Sequence, residues 1–141
     1  LWIADSPFRS VRARRSAGDS FRSMTTPNAV TASGVQCELR TAWTFKAGDL
    51  PADRVEVVGE LGSVELQVGH SLRLYADGQQ TPMPVAEGDD ALVNEHDHFL
   101  ACLRDRRRQP ALTLDDAVAG LTLADAIADS LRRDGDVGIG G

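Results

Sequence analysis

Two cysteines in 141 residues are too few for a disulfide framework, so Cys37 and Cys102 read as reduced, core-filling thiols of a cytoplasmic protein. No apolar run approaches the length of a membrane span, which predicts a soluble chain with no membrane partner. A formal charge of -6 and a pI near 4.9 argue against nucleic acid as a partner. That charge is uneven: residues 1–46 carry seven Lys/Arg against three Asp/Glu, and the remainder eight against eighteen. At 15.1 kDa the chain is long enough to bury a real core, and one compact domain over residues 1–137 with a short tail at 138–141 is the expectation.

What is present is strand pattern. Val35, Cys37, Leu39, Thr41, Trp43 and Phe45 alternate with Gln36, Glu38, Arg40, Ala42, Thr44 and Lys46, the period-two signature of one long strand with a buried face. Residues 54–60 and 63–68 repeat the alternation around Gly59-Glu60-Leu61-Gly62, a turn whose glycines allow unusual backbone angles. Residues 9–15 read as a strand and 16–28 as loop, and Ala29 to Ala32 pairs back through Ser33-Gly34. Ser71 to Ala76 leads through Asp77-Gly78 into residues 79–85, where Pro82 and Pro84 restrict the last strand to an edge.

From Asp90 the period changes. Leu92, His96, Phe99, Leu100 and Leu103 recur at helical spacing up to the Arg104–Arg108 cluster, and Pro110 marks the stop. Thr113 is a natural N-cap, with Asp115 and Asp116 in the first turn of a second helix. Gly135 is placed to end that helix. The fold class predicted is α+β: an open, mostly antiparallel twisted sheet of about seven strands with two C-terminal helices on one face. Apolar residues on the other face, such as Val58, predict association into a homodimer or larger oligomer through the open sheet.

Three segments together resemble one family. Val57-Val58-Gly59-Glu60-Leu61-Gly62-Ser63-Val64 is similar to a hairpin of the C-terminal domain of Gfo/Idh/MocA oxidoreductases, the glucose-fructose oxidoreductase and inositol dehydrogenase group. Asn94 to Leu103 with Arg108-Gln109-Pro110-Ala111-Leu112-Thr113-Leu114-Asp115-Asp116-Ala117 resembles its helix-turn-helix entry, and Leu121 to Ser130 its closing helix. The resemblance implies a domain that shapes a substrate site and mediates oligomerisation, beside an N-terminal Rossmann domain that binds NAD or NADP. In this chain no G-x-G-x-x-G turn stands between strand and helix, so no cofactor is expected to bind here. The family's "E-K-P" lysine has no counterpart either, since Lys46, the single lysine, lies in a strand. Its catalytic-histidine helix would stand just before Leu1-Trp2-Ile3-Ala4, and the start at Leu1 looks like a cut through a parent enzyme.

Candidate chemistry within the chain is sparse. His96 and His98 point to different sides of a helix; His98 and Cys102, four apart with Asn94 a turn earlier, could share an ion, but two ligands do not close a metal site. His96 reads as a hydrogen-bonded core histidine, and His70 has no evident partner. Ser20, Ser71 and Ser130 lack nucleophile-elbow flanks, and Asp89-Asp90 and Asp115-Asp116 begin helices, where they cap. Arg9, Arg12, Arg14 and Arg15 make a solvated or salt-bridged sheet face, with anion binding as the alternative. Substrate-positioning loops are expected around Asp19 to Asn28. No residue is assigned as catalytic, cofactor-binding or metal-binding, and no substrate-binding residue is assigned. The rival to an oxidoreductase fragment is a stand-alone sheet module for protein association.

Overall fold

The computed structural model describes residues 6–16, 24–42, 53–84 and 91–140. They form two compact units, one from residues 1–45 and 109–141 and the other from residues 46–108. The class is α+β with open antiparallel sheets, but the strands divide into two sheets where the sequence pattern suggests one.

In the first unit, β1 (Phe8–Arg15) pairs with β2 (Met24–Thr31) on one side and with the short β9 (Val137–Gly138) on the other. Alternation drives the core: Val11, Ala13 and Ala29 are buried, while Arg14 and Asn28 on the opposite face are exposed. Helix α2 (Leu114–Arg133) lays Ala126 on Val11 and Ala29, with Phe8, Leu123, Ile127, Val137 and Ile139 around them. Gly138, expected to open a tail, pairs with Ser10, and the Ile139 N–H donates to the Arg9 carbonyl at 2.7 Å.

The long strand expected over 35–46 is interrupted. The structure shows β3 (Gln36–Glu38) and β4 (Thr41–Ala42), both on β2, with a gap at Leu39 and Arg40; residues beyond Ala42 lie outside the described region. The cause is Pro27. It stands in β2 between Asn28, which faces Glu38, and Thr26, one residue from the Thr25–Thr41 pair. The Leu39 N–H donates to the Pro27 carbonyl at 3.0 Å, but proline has no N–H to return the bond, so the ladder lapses for two residues. Met24 to Asn28 therefore belong to a strand, not to the loop expected over 16–28. Val35 and Leu39 remain exposed, and the core sits on β1, β2 and α2 instead.

In the second unit, β5 (Arg54–Gly59), β6 (Gly62–Gln67), β7 (Ser71–Ala76) and β8 (Gln79–Met83) form a meander in chain order. Asp77 and Gly78, at φ 52° and 71°, make the two-residue turn their dipeptide predicts. Strand β8, which carries Pro82, lies at the edge. Gly62 is essential to the first hairpin: its φ is 148°, and a Cβ there would overlap the Tyr75 carbonyl oxygen on the neighbouring strand. Helix α1 (Ala91–Arg104) belongs to this unit and buries none of its side chains, so the packing of both helices on one sheet face is seen for α2 alone.

Candidate functional site

The serine chemistry resolves first. The Ser130 hydroxyl is fully buried, accepts a hydrogen bond from the Ala13 N–H at 2.8 Å and donates to the Gly135 carbonyl at 2.6 Å. Both its hydrogen-bonding roles are occupied by backbone, which makes it a fastener between α2 and β1 and not a nucleophile. Ser71 Oγ is buried without a hydrogen-bond partner, so no base orients it. Ser20 and the Asp89-Asp90 pair lie outside the described residues.

The acidic start of α2 is a capping box. The Thr113 hydroxyl accepts from the Asp116 N–H at 3.2 Å, and the Asp116 carboxylate accepts from the Thr113 N–H at 2.9 Å and its hydroxyl at 2.6 Å. The hydroxyl contact, then the backbone one, holds the Asp116 carboxyl below the usual carboxylate range. With two carboxylates in the first turn, this helix end repels a phosphate. At the other end the left-handed position falls on Asp134, at φ 49°, one residue before the expected Gly135; aspartate tolerates that conformation better than most residues.

Helix α1 brings His98 Nε2 and Cys102 Sγ to 3.5 Å, as their four-residue spacing requires. His96 is exposed and so is not the core histidine its place on the apolar stripe suggested. His70 is exposed in the β6–β7 turn, where its N–H donates to the Gln67 carbonyl. Among the described residues no three His, Cys, Asp or Glu side chains stand together as a metal site. Neither Cys37 nor Cys102 is in a disulfide, and both are half-buried.

The arginines of β1 differ in their partners. Arg12 reaches Asp136 at 3.3 Å and the Asp134 carbonyl at 3.5 Å, tying β1 to the end of α2, whereas Arg9 and Arg14 are exposed. In the second unit Glu65 bridges Arg54 at 2.8 Å and Arg73 at 3.3 Å across three strands. At one end of this sheet the two hairpin turns border an open concavity of about 920 Å³, lined by Glu60, Tyr75, Asp77, Gln79 and Gln80 among others. It presents hydrogen-bonding groups without a nucleophile and base in contact, an arrangement suited to holding a polar molecule rather than breaking a bond. Of the loop expected to position substrate, residues 19–23 lie outside the described region and 24–28 are in β2. Every strand pair described is antiparallel, while a dinucleotide crevice is built on parallel βαβ units.

No family model and no curated protein matches the chain. Solved structures do match. An aldose-aldose oxidoreductase from Caulobacter crescentus, complexed with glycerol, superposes with a TM-score of 0.82 at 20% identity, over 98% of this chain and 43% of its own. An oxidoreductase from Agrobacterium radiobacter in complex with NAD+, L-tartaric acid and magnesium gives 0.72 at 14% identity, over 94% and 43%. The WlbA dehydrogenase from Bordetella pertussis, in complex with NADH and UDP-GlcNAcA, gives 0.72 at 15% identity, over 99% and 41%. The chain spans about two-fifths of the length of these proteins. It thus resembles in fold a part of Gfo/Idh/MocA-type oxidoreductases, as its hairpin and helix motifs implied.

Proposed function

We propose that this chain is the C-terminal, substrate-side and oligomerisation domain of an NAD- or NADP-dependent oxidoreductase acting on a sugar, polyol or related compound. The observation that carries the reading is the superposition of nearly the whole chain on less than half of an oxidoreductase. The small molecules in the related structures (glycerol, tartrate, a nucleotide sugar) favour a hydroxylated substrate, and their NAD+ and NADH favour a nicotinamide cofactor. Hydride transfer needs that cofactor, and the sequence spells no G-x-G-x-x-G turn to cradle it. Alone, the chain is catalytically silent, and a cofactor domain elsewhere supplies the redox chemistry. Calorimetric titration with NAD and with NADP tests this: no binding is expected, and micromolar affinity for either would overturn the reading.

Oligomerisation is assigned to the second sheet. Val55, Val57, Val64, Leu66, Leu72, Leu74 and Met83 share one face, since register pairs Val55 with Leu66, Val57 with Val64, Leu66 with Leu72, Val64 with Leu74 and Leu72 with Met83. No residue of its four strands is buried as a whole. The reverse face carries Arg54, Glu65 and Arg73 in ion pairs, so the apolar face is the one that gains by leaving water. Sedimentation resolves the point: an assembly larger than 15.1 kDa is expected at micromolar concentration.

A further inference from the structure

A different feature lies wholly within the first unit. Cross-strand register places Arg15 of β1 opposite Thr25 of β2, and Thr25 opposite Thr41 of β4. Residues two apart share a strand face, so Arg15 follows the buried Val11 and Ala13 onto the side that α2 covers. The three side chains form a row at the open end of that layer. Facing them are Ala124, Ile127, Ala128 and Leu131 of α2, three or four residues apart and therefore on one helix face, with Arg132 beside them. Sheet row and helix face enclose a groove of about 500 Å³, large enough for a small molecule.

The chemistry of the groove is specific. Among the described residues the Arg15 guanidinium and the Thr25 and Thr41 hydroxyls have neither an ion pair nor a hydrogen bond through their side chains. Arg12, Arg54 and Arg73, by contrast, each meet a carboxylate. Arg132 is paired with Asp129, which Arg133 also approaches at 3.4 Å. The lining therefore offers one uncommitted cation, two hydroxyl donors and an aliphatic wall whose two alanines leave room for a chain.

We infer that this groove binds a carboxylate carried on a short alkyl chain. One free guanidinium matches a monoanion, and its paired N–H groups match the two carboxylate oxygens. The threonine hydroxyls donate from the same row, and the alkyl part lies on Ile127 and Leu131. A dianion is disfavoured, because the lining's other cation, Arg132, is already paired with Asp129. The net charge of -6 gives no general attraction for anions, so saturable binding would be local to these residues.

Butyrate titrated into the full chain, followed by amide chemical shifts, tests the proposal. Saturable shifts at Arg15, Thr25, Thr41 and Ala128 are expected, with inorganic phosphate and butanol each binding more weakly. Arg15→Gln, at an exposed position, should weaken butyrate roughly tenfold, the loss of one charge-assisted contact. Ala128→Leu keeps every charge but fills the groove floor, and should block butyrate equally. Shifts that never saturate, phosphate binding as tightly as butyrate, or unchanged affinity in both variants with dispersed, native spectra would overturn it.

Discussion

The Ser130 hydroxyl takes the Ala13 N–H at 2.8 Å, at a point on β1 where the strand β9 has already ended. Strand β9 covers only Ser10 and Val11, so the next outward-pointing donor, Ala13, would be buried without a partner. A helix side chain stands in for the missing strand. The same oxygen donates to the Gly135 carbonyl, fixing the turn that carries the chain from α2 back into β9.

Ser130→Ala leaves a buried N–H and a carbonyl unpaired. The buried N–H costs about 1–3 kcal/mol and the half-buried carbonyl less, so the variant should lose roughly 2–4 kcal/mol in urea denaturation, with no effect on any chemistry. A loss below about 0.5 kcal/mol would contradict the fastening role.

Thr113→Ala removes half of the capping box and should cost about 1 kcal/mol. It should also change the acid limb of stability. Asp116 has a lowered folded-state pKa, so its contribution is fully present above the unfolded carboxylate value and is lost as pH falls through the folded one. In Thr113→Ala that acid-dependent loss should shrink, and parallel stability curves for the two proteins between neutral and strongly acid pH would refute it.

Gly62→Ala should be severe. The added Cβ meets backbone, not a side chain that could swing away, and φ at this position is 148°. A loss of roughly 3 kcal/mol or more is expected, with disrupted β5–β6 and β6–β7 pairing visible by hydrogen exchange. Gly78→Ala is the control: open space surrounds it, so its cost is confined to the positive φ, about 1 kcal/mol.

Val57→Glu places a charge in the apolar face of the second sheet without disturbing a buried residue, since Val57 is 40% exposed. If that face joins copies of the chain, the variant should sediment as a monomer while keeping the circular dichroism of the parent. An unchanged assembly would direct attention to another surface.

Much of the local structure was legible from residue order. Period-two alternation located β1, β5 and β6, Asp77-Gly78 marked the turn from β7 to β8 and Ser33-Gly34 that from β2 to β3, and Thr113 to Asp116 spelled out a cap, because each depends on neighbours within four or five residues. The histidine-cysteine contact on α1 followed from helical spacing in the same way. Pro27 was misread for the opposite reason. Proline ordinarily marks a loop, and only the placement of β3 and β4 beside it shows the strand running through and its partner breaking.

The sequence by itself determined which segments become strands and helices, where the capping box forms and that no dinucleotide turn is spelled within it, for these are properties of contiguous residues. Tertiary structure alone decided that the strands fall into two sheets, that Ser130 completes the edge of β1, and that Arg15 meets Thr25, Thr41 and α2 in one groove. Those outcomes join residues up to 117 positions apart, and no local pattern encodes which distant backbone group will be left wanting a partner until the chain has closed on itself.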